Sequence, residues 1–63
     1  MILRNYFCRT FTADDCVSTE EQCDSAEAAI ARANEWRAIG MKATAYRLDL
    51  NPTELELNLT PLN

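Results

Sequence analysis

The chain has 63 residues, with ten Asp or Glu against six Lys or Arg, no histidine, one glycine and a formal net charge of −4. This length allows one small core, because chains of this size bury only about 60% of the surface they expose when unfolded, and the acidic balance disfavours nucleic acid and anionic membrane as partners. No apolar run reaches the roughly 20 residues of a membrane helix, and MILRNYFCRTF lacks a signal-peptide pattern, so the reading is a soluble, cytoplasmic chain that is a complete small gene product.

Residues 2–11 are rich in β-branched and aromatic side chains and contain no Gly or Pro, which predicts a strand. Leu3, Phe7 and Phe11 share one face of it, and Ile2, Tyr6 and Cys8 the other. TADD then marks a turn, since Asp side chains bond nearby backbone, and CVST at 16–19 fits a short return strand. From Ser25 the spacing becomes helical: Ala26, Ala29, Ile30, Ala33 and Trp36 form one apolar face, while Glu27, Asn34 and Glu35 turn outward. Ser25 fits the N-cap, and Asp24 with Glu27 has a box-like spacing. An earlier start at Ser18 or Thr19 also satisfies capping-box spacing, through Glu21 or Gln22.

Gly40 sits where a left-handed residue would close the helix, with Met41 supplying the accompanying apolar contact. Residues 41–50 alternate as a strand, with Met41, Ala43 and Ala45 on one face and Thr44, Tyr46, Leu48 and Leu50 on the other. Asn51 and Pro52 mark a turn. Beyond it Leu55, Leu57 and Leu59 oppose Glu54, Glu56 and Asn58, the cleanest strand pattern in the chain. The expected fold class is α+β, a single domain over 1–63. A small antiparallel or mixed sheet of three to four strands carries one helix on one face, in the order β-(β)-α-β-β. One helix covers one face; Tyr6, Tyr46 and Leu48 are assigned to the other, as contacts for a second copy or a partner.

Chemistry is thinly represented. Cys8, Cys16 and Cys23 are odd in number, lack a C-x-x-C pair and have no histidine beside them, so neither a zinc site nor an oxidised scaffold is expected, although a Cys16–Cys23 disulfide stays open. A nucleophilic thiol needs a base or positive surroundings, whereas Cys16 and Cys23 lie among carboxylates. Adjacent Asp14 and Asp15, or Glu20 and Glu21, do not form the differentiated acid–base pair of a catalytic pocket. The EF-hand spacing and the glycine-rich phosphate loops are absent. The expectation is therefore a protein without catalytic activity, cofactor or metal. Trp36 reads as a core anchor.

Residues 13–27 hold six of the ten acidic residues and no base: Asp14, Asp15, Glu20, Glu21, Asp24 and Glu27. They read as either a solvated connection into the helix or a negative surface that steers the protein onto a basic patch. The preferred function is a non-catalytic, acidic protein-binding module. In its narrower form this is an anti-CRISPR-like inhibitor from a phage or mobile element, docking on the basic surface of a larger host protein or nucleoprotein complex. The alternatives are a structural or assembly homodimer, and a single-strand nucleic-acid binder that stacks bases on Tyr6, Phe7 and Tyr46 and meets phosphates with Arg4, Arg9 and Arg47.

Overall fold

The computed structural model describes residues 1–63 and runs β1 (Leu3–Phe11), β2 (Val17–Cys23), α1 (Ala26–Ala38), β3 (Lys42–Asn51) and β4 (Glu56–Pro61). The strands form one antiparallel sheet in the spatial order β2-β1-β3-β4, with α1 packed on one face. This is the α+β arrangement expected from the pattern. β1 and β3 are the inner strands, paired from Leu3 opposite Leu50 to Phe11 opposite Lys42, although β2 and α1 separate them in sequence.

The first hairpin closes where TADD predicts a turn. The Thr12 amide donates to the Cys16 carbonyl at 2.8 Å and the Asp15 amide to the Thr12 carbonyl at 3.0 Å. Asp15 takes a φ of 64°, a conformation that Asp tolerates better than most side chains. β2 corrects two expectations: it is longer than the 16–19 strand, and no helix starts at Ser18 or Thr19. The strand wins because β1 offers it a continuous ladder, from Thr10 opposite Thr19 to Tyr6 opposite Cys23. A side-chain hydrogen bond joins Thr10 and Thr19 across it. Local capping spacing cannot compete with that pairing.

The helix starts at the other predicted position. Ser25 is its N-cap, with Oγ accepting from the Ala28 amide at 3.1 Å, and Glu27 in the first turn and Arg37 in the last both complement the helix dipole. Its end forms a Schellman motif. The Gly40 amide donates to the Arg37 carbonyl and the Met41 amide to the Trp36 carbonyl, both at 3.0 Å, with Gly40 at φ 88°. In the β3–β4 turn Asn51 Oδ1 accepts from the amides of Thr53 and Glu54, an Asx turn. Leu55 falls in this turn at φ 52° rather than in β4.

Strand parity sorts the side chains. The register puts Tyr6, Cys8 and Thr10 of β1 on the same face as Ala43, Ala45, Arg47 and Asp49 of β3 and Thr19, Glu21 and Cys23 of β2. That face meets α1, and Cys8, Ala43 and Ala45 pack there with Ala29 and Ala33 as a core in which no residue is more than 4% exposed. Tyr6 packs against this core. Its assignment to the open face beside Tyr46 and Leu48 is thus corrected: Tyr6 lies opposite Arg47, one step out of phase with Phe7 opposite Tyr46. Only seven of 63 residues are buried, and the principal ones are small. The layer between helix and sheet is therefore thin and contributes little apolar burial.

Candidate functional site

Two surfaces stand out: the sheet face away from the helix, and the outward-facing charge. On the first, Leu3, Phe7, Arg9 and Phe11 of β1 stand beside Lys42, Thr44, Tyr46, Leu48 and Leu50 of β3, and Leu57 and Leu59 of β4 extend the row. Leu3 pairs with Leu50, Leu50 with Leu57 and Leu48 with Leu59. The result is a leucine cluster across three strands. Leu3, Leu57 and Leu59 are 47, 63 and 42% exposed, so this cluster lies open to water. Toward the other end Phe7 stacks on Tyr46 with ring centroids 5.5 Å apart, and the Arg9 guanidinium lies 5.0 Å from the Phe7 centroid and 5.4 Å from that of Tyr46. These neighbours leave Phe7 only 3% exposed.

Of the predicted contact residues, Tyr46 and Leu48 do stand on this face and Tyr6 does not. Leu3, Leu50, Leu57 and Leu59 went unassigned. The alternation in ELELNL was the signal that could have placed Leu57 and Leu59 there. The base-stacking platform does not assemble: Tyr6, Arg4 and Arg47 lie on the helix side, Phe7, Tyr46 and Arg9 on the open side. Arg4 is held by Asp49 at 2.6 Å, and Arg47 by the same carboxylate at 3.1 Å.

The acidic segment separates into two groups. Glu20 pairs with Arg9 at 2.9 Å, Asp15 with Lys42 at 2.8 Å, and Glu21 accepts two bonds from Arg32, at 2.8 and 3.2 Å. Three of the six predicted carboxylates are thus neutralised by bases distant in sequence, which no local reading could reveal. Asp14, Asp24 and Glu27 make no ion pair, and neither do Glu54 and Glu56 on the β3–β4 side. Arg32 was also missed. It bridges Glu21 and Glu35, and its guanidinium lies 4.7 Å from the centroid of Trp36.

Trp36 packs on the core as expected. Its buried Nε1 has no hydrogen-bond partner. The hydrogen bonds from Arg32 hold the Glu21 carboxyl below the usual range and raise the guanidinium in turn. Asp49 is lowered by its hydrogen bond to Arg4, with Arg47 adding to it.

The three thiols are free. Burial raises the pKa of Cys8, and burial followed by Glu21 and Asp24 raises that of Cys23, so both favour the neutral thiol over the nucleophilic thiolate. Cys16 and Cys23 stand at opposite ends of the β2 segment, roughly 20 Å apart at about 3.3 Å per extended residue, far beyond disulfide reach. No three His, Cys, Asp or Glu side chains converge in a metal-binding group. The two concavities are shallow: one is lined by Phe11, Asp15, Arg37, Lys42, Ala43, Thr44 and Tyr46, the other by Glu21, Arg32, Glu35 and neighbours of β2 and α1. The bases in both are engaged, since Arg37 Nε donates to the Ala43 carbonyl at 2.8 Å. No helix is long and apolar enough to cross a membrane.

No protein family, curated protein or solved structure matches this chain.

Proposed function

We propose that this protein is a non-catalytic binding module whose excess negative charge directs it onto the basic surface of a larger protein or nucleoprotein complex. The disposition of charge supports this reading. All six bases are engaged within the chain, five in ion pairs and Arg37 on a backbone carbonyl. The carboxylates left without an ion-pair partner are Asp14, Asp24, Glu27, Glu54 and Glu56, against one unpaired positive charge, that of Arg37. A net negative field of this kind steers encounter with a positive surface and raises the on-rate more than the final affinity. Basic grooves that hold nucleic acid have the matching sign. In its narrowest form the reading is an anti-CRISPR-like inhibitor, made by a phage or mobile element, that occupies such a groove in a host nucleic-acid-guided complex.

The set to test differs from the one the sequence suggests. Replacing Asp15, Glu20 or Glu21 would strand Lys42, Arg9 or Arg32 and mix stability into the measurement, and Asp24 and Glu27 serve the helix start. Asp14→Asn, Glu54→Gln and Glu56→Gln together avoid both problems. Each exposed change should alter folding stability by less than about 0.5 kcal/mol. Capture of the partner from a host lysate should weaken and lose much of its salt dependence. Capture and salt dependence equal to those of the unmodified chain would sink the proposal.

A further inference from the structure

We propose that the open sheet face is covered by a second copy of the same chain, related by a two-fold axis that runs parallel to the sheets in the plane between them. The product is a four-layer assembly, helix, sheet, sheet, helix, with the leucine clusters of the two copies stacked at its centre. This inference does not rest on the partner proposed above.

The first argument is charge. The charged groups on this face are already satisfied, Arg9 by Glu20 and Lys42 by Asp15. Glu56, opposite Asn51, points to the helix side, out of phase with Leu57 opposite Leu50. Asp24 and Glu27 flank the helix start, and Asp14 and Glu54 occupy turns. A chain of net charge −4 therefore presents to its copy a face with no net charge, and like-charge repulsion across the contact stays small. A basic partner would find nothing on this face to pair with.

The second argument is shape and area. An isologous contact needs one patch that complements itself. An apolar row of Leu3, Leu48, Leu50, Leu57 and Leu59 does so without hydrogen-bond matching. The two longest dimensions of the molecule are 40 and 24 Å, room for the about 800 Å² per partner that a stable interface buries. Two sheets pack in this way at about 10 Å with their strands within about 30° of each other. The third argument is need. With only six of the seven buried residues on it, the helix side alone gives a marginal core, and the leucine face is the apolar surface available to enlarge it.

Sedimentation equilibrium from about 1 to 100 µM tests this directly, reading mass against the 7.1 kDa of one chain. The expected species at the upper end is a dimer. Leu3→Lys on β1 and Leu59→Lys on β4 should each weaken it by about 100-fold, since two buried leucines are lost per dimer. Both sites are partly exposed in the single chain, so circular dichroism should show the fold retained, with a lower unfolding midpoint once the dimer is lost. Ile39→Lys, at a 71% exposed position beyond the helix, should leave the dimer intact. A monomer at 100 µM in the unmodified chain overturns the proposal without recourse to any variant. Loss of the dimer with Leu59→Lys but not with Leu3→Lys overturns it too, because β4 edge pairing rather than the face would then hold the copies together.

Discussion

Leu55 is the residue whose local conformation and chemistry disagree most. It is 88% exposed and sits at φ 52° in the turn between β3 and β4, a conformation that costs a side chain with a Cβ roughly 1–2 kcal/mol. Glycine would adopt it freely but would also gain freedom when unfolded. Leu55→Gly should therefore stabilise the fold by a net of about 0.5–1 kcal/mol, and a thermal midpoint that does not rise would contradict the assigned backbone. The sequence reading put Leu55 in phase with Leu57 and Leu59, because alternation alone cannot reveal where a strand begins. Gly40 is the opposite case. The sole glycine, placed after a helical period, announced its left-handed conformation, and the Schellman hydrogen bonds require it. Tyr6 and the carboxylates of β2 show why candidate site residues were harder to place than the elements holding them. A side chain's parity relative to a neighbouring strand, or its ion-pair partner more than ten residues away, depends on register, and register is a tertiary property.

The elements themselves were legible wherever period and punctuation agreed. β3 declared itself through small residues on one face and large ones on the other, and the reason is now visible: Ala43 and Ala45 lie against Ala29 and Ala33, so the helix backbone approaches the sheet closely. This packing is intolerant of added volume. Ala45→Val should cost about 1–3 kcal/mol through overpacking, although valine is the better strand former. Chemical denaturation comparing Ala45→Val with Thr44→Val on the opposite face checks it: a loss confined to Ala45 is expected, and equal tolerance at both positions would mean the alanine layer has room to spare. β2 was the least legible element, being polar, acidic and free of large apolar residues. Its outer edge is flanked by Glu20 and Glu21, charges of the kind that discourage unwanted edge pairing. The same composition that made the stretch look like a loop thus suits a strand with one unpaired side.

For the whole molecule, the titrating groups set a window of stability. Asp49 and Glu21 have folded pKa values below their ordinary ones, held down first by hydrogen bonds from Arg4 and Arg32. The stability they contribute is present above the unfolded carboxyl pKa of about 4 and is lost as pH falls through the lower folded values. Cys8 and Cys23 are raised by burial. Their contribution is complete below the unfolded thiol pKa of about 8.5 and is lost as pH rises through the folded values. Urea midpoints at fixed protein concentration should form a plateau between about pH 5 and 8 and fall on both sides, and Asp49→Asn should flatten the acid limb. A midpoint unchanged from pH 5 to pH 3 would remove the ion pairs from the account of stability. The pairing of β1 with β3 has a further consequence, for the order of folding. The β1–β2 and β3–β4 hairpins close over short turns, but the seam between them, from Phe11 to Lys42, must close over segment 12–41. By loop-length scaling that closure costs about 2 kcal/mol more entropy than a tight hairpin. The two hairpins can therefore begin to form separately, and the seam between them is expected to be the last part joined.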